Sequence, residues 1–187
     1  IQKFGPVNDK SQVADSYFSD KPPGTAFLVA PFLAARRVLG GAPDPRSDLR
    51  LARIVAGVLP TLLLLILLRI DLSERVIRPT TRALCLAAYG LGTHGLTYSM
   101  LFYGHQLTAV LLYAAYFALR RPRVGIVRAA IVGALAAACL AVEYQSAVYL
   151  VPVAVLFVLR VRPLGPGLAA GLLGAAPILA ALLGYGN

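Results

Sequence analysis

Tryptophan is absent from these 187 residues, cysteine occurs twice, and eight carboxylates stand against 18 lysines and arginines. The two cysteines, Cys85 and Cys139, lie inside apolar runs, where a thiol behaves as a small hydrophobe. That placement excludes a disulfide framework and any cysteine-based metal spacing. No Walker loop, HExxH pair, nucleophile elbow or CxxC pair occurs, so phosphate-loop, zinc-protease, hydrolase and dithiol chemistry carry no signature here. The stretch Ile1–Pro23 is polar and lacks the apolar centre of a signal peptide. There is no internal repeat and no low-complexity tract beyond a Gly/Ala/Leu bias.

What fills the chain is apolar. Hydrophobic residues make up 58% of it and the mean hydropathy is +0.73, whereas a soluble domain sits near 45–50% apolar. The runs Leu51–Ile70 and Leu164–Gly184 are each about 20 residues. At roughly 1.5 Å per residue they match a hydrocarbon layer about 30 Å thick. Five further segments follow the same composition: Gly24–Leu39, Ala83–Ser99, Gly104–Leu119, Gly125–Val142 and Gln145–Arg160. Several are rich in glycine and alanine, which lets helices approach closely in a bilayer. The expected fold is all-α: a polytopic transmembrane bundle of about six spanning helices with one interfacial or re-entrant outer helix. Residues 1–50 form the external arm and interfacial segment, and 51–187 the bundle.

The net charge of +10 does not point to nucleic acid, because the arginines cluster at the ends of apolar runs and not along one solvated face. The connections Arg69–Arg82, Arg120–Arg128 and Arg160–Pro163 hold ten arginines, while the turns near Tyr98–His105, Val142–Gln145 and Gly184–Asn187 hold none. By the positive-inside rule the arginine connections are cytoplasmic. Gly24–Leu39 is a poor spanner, with 16 residues, Pro31 in its middle and Arg36–Arg37 near its end. It is expected to lie along the outer surface, leaving the arm outside.

Polar and uncommon residues gather on that outer side. In the arm, Asp15, Tyr17, Asp20 and Lys21 run into Pro22–Pro23, which hold the preceding residues extended. A lysine there can meet a phosphate, and a carboxylate can act as a base or bind a divalent cation; the plain alternative is a solvated surface pair. His105 stands at a helix start, where the positive dipole end leaves it a neutral donor or acceptor able to orient a hydroxyl or phosphate; the alternative is an imidazole satisfied by a neighbouring tyrosine or backbone. His94, beside Gly92 and Gly95, reads as a packing or interhelical hydrogen-bonding residue. Glu143 is the sole carboxylate beyond residue 74. An acid within an apolar bundle is a functional candidate, though at an outer helix end beside Tyr144 it also reads as an interfacial residue.

Tyr17-Phe18-Ser19-Asp20-Lys21-Pro22-Pro23-Gly24, followed by Thr-Ala-Phe-Leu-Val-Ala-Pro, resembles the Lys-Pro-Pro segment after the first external loop of GT-C class glycosyltransferases that use polyprenyl-phosphate donors. These include the lipid A aminoarabinose transferases and protein O-mannosyltransferases. Leu101-Phe-Tyr-Gly-His105 and Ala141-Val-Glu-Tyr144 fall where related bacterial membrane proteins carry turn motifs. The resemblance implies transfer of a sugar to an outward-facing acceptor at the outer face of a bacterial plasma membrane. It makes Lys21 a contact for the donor's phosphate and Asp15 or Asp20 the catalytic acid or base. Tyr17, His105 and Glu143 then contact substrate. Such enzymes carry a spanning helix with an acid just beyond it ahead of the arm, so the chain reads as a fragment. A transporter or assembly subunit with Glu143 and His105 along a polar path is the rival reading; it requires Glu143 midway along the bundle.

Overall fold

A computed structural model describes residues 10–13, 16–19, 21–76 and 78–185. A two-stranded antiparallel hairpin, β1 (Lys10–Val13) with β2 (Ser16–Ser19), precedes the helices, with Lys10 opposite Ser19 and Gln12 opposite Tyr17. Apart from this short hairpin the regular structure of the described residues is helical, as expected for an all-α chain.

Pro22 and Pro23 then start α1 (Gly24–Val38), whose Phe27 amide donates to the Pro23 carbonyl at 2.9 Å. Gly40, at φ 86°, takes the left-handed conformation that turns the chain after α1. Asp44 caps the next helix, accepting from the Arg46 and Ser47 amides at 3.2 and 3.0 Å, with Pro45 in the first turn. Bonding to Ser47 and then to Arg46 holds the Asp44 carboxyl below its ordinary range.

The helix that follows, α2, runs continuously from Pro45 to Arg75. The expected division at residue 50 falls within it. Ile54–Val58 widen into a π-helical turn just before Pro60, whose ring cannot donate to the carbonyl four residues back and crowds it. Thr61 donates its hydroxyl to the Gly57 carbonyl at 2.8 Å in the same turn. The remaining helices are α3 (Pro79–Gly92), α4 (His94–Ser99), α5 (Gly104–Leu119), α6 (Ile126–Val142), α7 (Ser146–Arg160) and α8 (Leu164–Tyr185).

The expected single span Ala83–Ser99 is broken at Thr93, which is extended at φ −121°, ψ 175°. Its hydroxyl donates to the Tyr89 carbonyl at 2.7 Å and accepts from the Gly95 amide at 3.0 Å. Flanking Gly90 and Gly92 lower the helical preference that would resist this break. His94 consequently opens α4 exposed, its ring near that of Tyr98, and does not pack between helices as expected.

Among the described residues, two helices, Pro45–Arg75 and Leu164–Tyr185, are long and apolar enough to cross a membrane; α6 and α7 are apolar but shorter. The core is made of small and branched side chains, Ala115, Leu119, Val124, Ala129, Val132 and Val161 among them. Large apolar side chains such as Leu63, Ile66, Val148, Leu172 and Leu173 lie on the outside. α6 and α8 approach most closely: a β-carbon on Gly133 would meet the Gly171 backbone, and one on Gly174 the Ala130 backbone.

The bundle has two distinct ends. At one, α2 meets α5: Arg120 bonds Asp71 at 3.0 Å and Glu74 at 2.6 and 2.7 Å, and Tyr113 donates to Asp71 at 3.1 Å. The bonds to Glu74 first, then those to Asp71, raise the Arg120 pKa above its ordinary value. Beside this cluster the Val124 amide donates to Arg160 and the Arg162 amide to Val124, both at 3.0 Å, joining the α5–α6 and α7–α8 connections. Thus the three arginine-bearing connections share one end. At the other end Gly24 sits against the Ala141 carbonyl at the close of α6. Arg36 and Arg37 at the close of α1 both pair with Asp48. Asp48 and Asp71 are 23 residues apart on α2, or roughly 35 Å, so α1 keeps both its ends away from the arginine connections.

Candidate functional site

Four chain segments converge on a cavity of about 720 Å³ at the end opposite the arginine connections. Lys21, Pro22 and Pro23 enter from the arm, Phe102 to His105 from the start of α5, Val142 to Gln145 from the α6–α7 turn, and Tyr185 from the close of α8. A pocket of this size takes a ligand of sugar or nucleotide dimensions.

Local sequence explains each contribution. Tyr103 is extended and Gly104 begins α5; a β-carbon on Gly104 would lie 2.9 Å from Val142 and 3.2 Å from the Glu143 side chain. Glycine at that position therefore lets the start of α5 close on the end of α6. One residue later, Nδ1 of His105 meets Oε1 of Glu143. Glu143 is the C-terminal cap residue of α6, its backbone extended and its amide donating to Cys139 at 2.8 Å. Its side chain is 23% exposed against 53% for His105, so the pair reaches the cavity while the carboxylate is the better sheltered partner.

Aromatic rings fix the imidazole. Tyr98 meets it edge-on at 4.9 Å between centroids, and Tyr103 stacks beside it at 6.1 Å with 18° between planes. On the far wall Tyr185 meets Phe27 of α1 edge-on at 5.5 Å, joining the close of α8 to the arm helix. The site thus combines a cation, a carboxylate–imidazole pair and flat apolar walls. Such a set can neutralise an anionic group, orient a hydroxyl and stack against a sugar ring.

Of the residues singled out from sequence, Lys21, His105 and Glu143 come together around this cavity. Tyr17 lies on β2, opposite Gln12. Asp15 and Asp20 fall outside the described residues. Among the described residues no three His, Cys, Asp or Glu side chains gather as a metal-binding group. Sequence reasoning passed over Tyr98, Tyr103 and Tyr185. The first two carried a signal, two tyrosines within seven residues of His105 in an uncharged turn; Tyr185, eighty residues away, carried none. No protein-family model matches this sequence, and no curated protein or solved structure matches it.

Proposed function

We propose that this chain is a membrane glycosyltransferase-like protein that moves a sugar from a polyprenyl-phosphate donor to an acceptor at the outer face of a bacterial plasma membrane. In this reading the bundle spans six times, with α1 as an interfacial outer helix. The observation that carries it is one cavity shared by Lys21, which directly precedes Pro22–Pro23, with His105 and Glu143. A transport path would require Glu143 midway along the bundle; its place at the closing cap of α6 favours chemistry at a mouth.

In the proposed reaction the acceptor hydroxyl oxygen attacks the anomeric carbon, and the bond from that carbon to the donor's phosphate oxygen breaks. The acceptor's proton passes to a carboxylate, for which Asp15 and Asp20 are the candidates. The polyprenyl phosphate leaves with the bonding electron pair, and Lys21 stabilises its charge. Tyr17 contacts substrate. His105 donates a hydrogen bond from Nδ1–H to the Glu143 carboxylate, which leaves Nε2 to accept from a substrate hydroxyl. The test is Lys21→Ala, assayed for sugar transfer from a lipid-linked donor beside Lys21→Arg, with the thermal midpoint of each variant recorded. Loss of one such charge-stabilising group costs about a hundredfold or more in turnover, and Lys21→Arg should recover part of it. Unchanged transfer by a folded Lys21→Ala sinks the phosphate role.

A further inference from the structure

The arginine end holds a second, chemically different site. A shallow basin of about 580 Å³ opens between the α5–α6 and α7–α8 connections, lined by Arg123, Arg128 and Arg162 with Gly125, Ile126 and Val127. Among the described residues no carboxylate lines it. The arginines nearby are treated differently by the fold: Arg75, Arg120 and Arg121 all pair with Asp71 or Glu74. Arg162 donates to the carbonyls of Val158 and Val161 at 2.9 and 2.7 Å. Among the described residues, Arg123 and Arg128 have neither an ion-pair nor a hydrogen-bond partner.

Their proximity is enforced. The Val124–Val161 bridge, with both valines fully buried, ties the connection bearing Arg123 to the one bearing Arg162. Arg128 lies in the first turn of α6, a helix of 17 residues, where the positive dipole end opposes another cation. Like charges gathered against a helix start cost free energy unless an anion completes them. Beside them Ile126 and Val127 are 49% and 74% exposed, an apolar lip next to a cationic basin.

We infer that this basin binds the phosphate headgroup of an anionic phospholipid, with its acyl chains against Ile126 and Val127. The shared guanidinium cradle suits any phosphate, and the apolar lip is what selects a lipid over the free ion. The inference rests on insertion in a membrane and is independent of sugar transfer at the opposite end.

Native mass spectrometry of the detergent-solubilised chain tests it, with added dioleoyl phosphatidylglycerol, dioleoyl phosphatidylcholine or inorganic phosphate. The wild type should retain phosphatidylglycerol over phosphatidylcholine, and Arg123→Gln/Arg128→Gln should bind it about thirtyfold more weakly, at roughly fivefold for each arginine removed from the headgroup. The control Arg78→Gln/Arg82→Gln removes the same charge from another connection at that end and should bind as wild type. Equal retention of the two lipids, equal loss in both double variants, or displacement of the lipid by millimolar phosphate would each overturn the inference. Circular dichroism of both variants separates lost binding from lost folding, and a misfolded Arg123→Gln/Arg128→Gln is replaced by Arg162→Gln, for which weakened binding is again required.

Discussion

Substituting Gly133 by alanine adds one methyl group at the closest helix contact in the bundle. The new carbon would lie 2.6 Å from the Gly171 carbonyl carbon and 2.8 Å from its α-carbon, where carbon atoms prefer about 3.5–4.0 Å. Both obstacles are backbone, so no rotamer change relieves them. α6 and α8 must part by about 1 Å, at a cost of about 1–3 kcal/mol for overpacking. Gly90 of α3 is the matched control, because a methyl there meets only Leu65 at 3.9 Å, an ordinary contact. Gly90→Ala should gain about 0.5–1 kcal/mol, the usual advantage of alanine over glycine within a helix. Reversible unfolding in mixed detergent micelles measures both. Opposite signs are expected; equal effects, or a Gly133→Ala chain as stable as wild type, would refute the close approach of α6 and α8.

Three other outcomes follow from the same geometry. Glu143→Ala should lower sugar transfer and loosen the His105 ring, whereas Glu143→Gln, which can still accept from Nδ1, should keep the ring fixed in its NMR spectrum. Asp71→Ala should depress the unfolding midpoint more than Glu74→Ala, because Asp71 is buried among Arg120, Tyr113 and Arg75 while the Glu74 side chain is 44% exposed. Since the Asp44 carboxyl is held below its ordinary range, its cap on α2 is fully present above the unfolded value near pH 4 and fades as pH falls through the folded one. Hydrogen exchange at the Arg46 and Ser47 amides, corrected for intrinsic rate, should rise over that interval, and Asp44→Asn should remove the dependence.

Most helices were legible because apolar runs and their stops sit close together in sequence. The end of α5 before Arg120 and the end of α7 at Arg160 are local signals. The gathering of the arginine connections at one end was legible too, since alternation of charged and uncharged turns fixes it wherever successive helices run antiparallel. The Thr93 break was not. Its cause is a side-chain bridge between Tyr89 and Gly95, which competes with a helix that apolar composition alone favours. Nor did sequence show Asp48 clamping Arg36 and Arg37, because partners 11 and 12 residues apart across a turn are chosen by how α1 folds back on α2.

At the site, sequence located Lys21, His105 and Glu143 on one side of the bundle, and that followed from topology. The pairing of His105 with Glu143 depends on Gly104 admitting the end of α6, which is a packing event. The wall formed by Tyr185 and Phe27 depends on α8 ending beside α1, a contact spanning most of the chain.

The central claim is that the Lys21–His105–Glu143 cavity opens on the outer side and the arginine connections on the inner. Cysteine labelling measures it directly, in a chain with Cys85 and Cys139 replaced by alanine and expressed in spheroplasts. Tyr144→Cys probes the cavity, where Tyr144 is 54% exposed, and Arg123→Cys probes the basin at the opposite end. With a membrane-impermeant maleimide, position 144 should label in intact spheroplasts and position 123 only after permeabilisation. Labelling of both from the same side, or of position 123 alone in intact spheroplasts, would contradict the account.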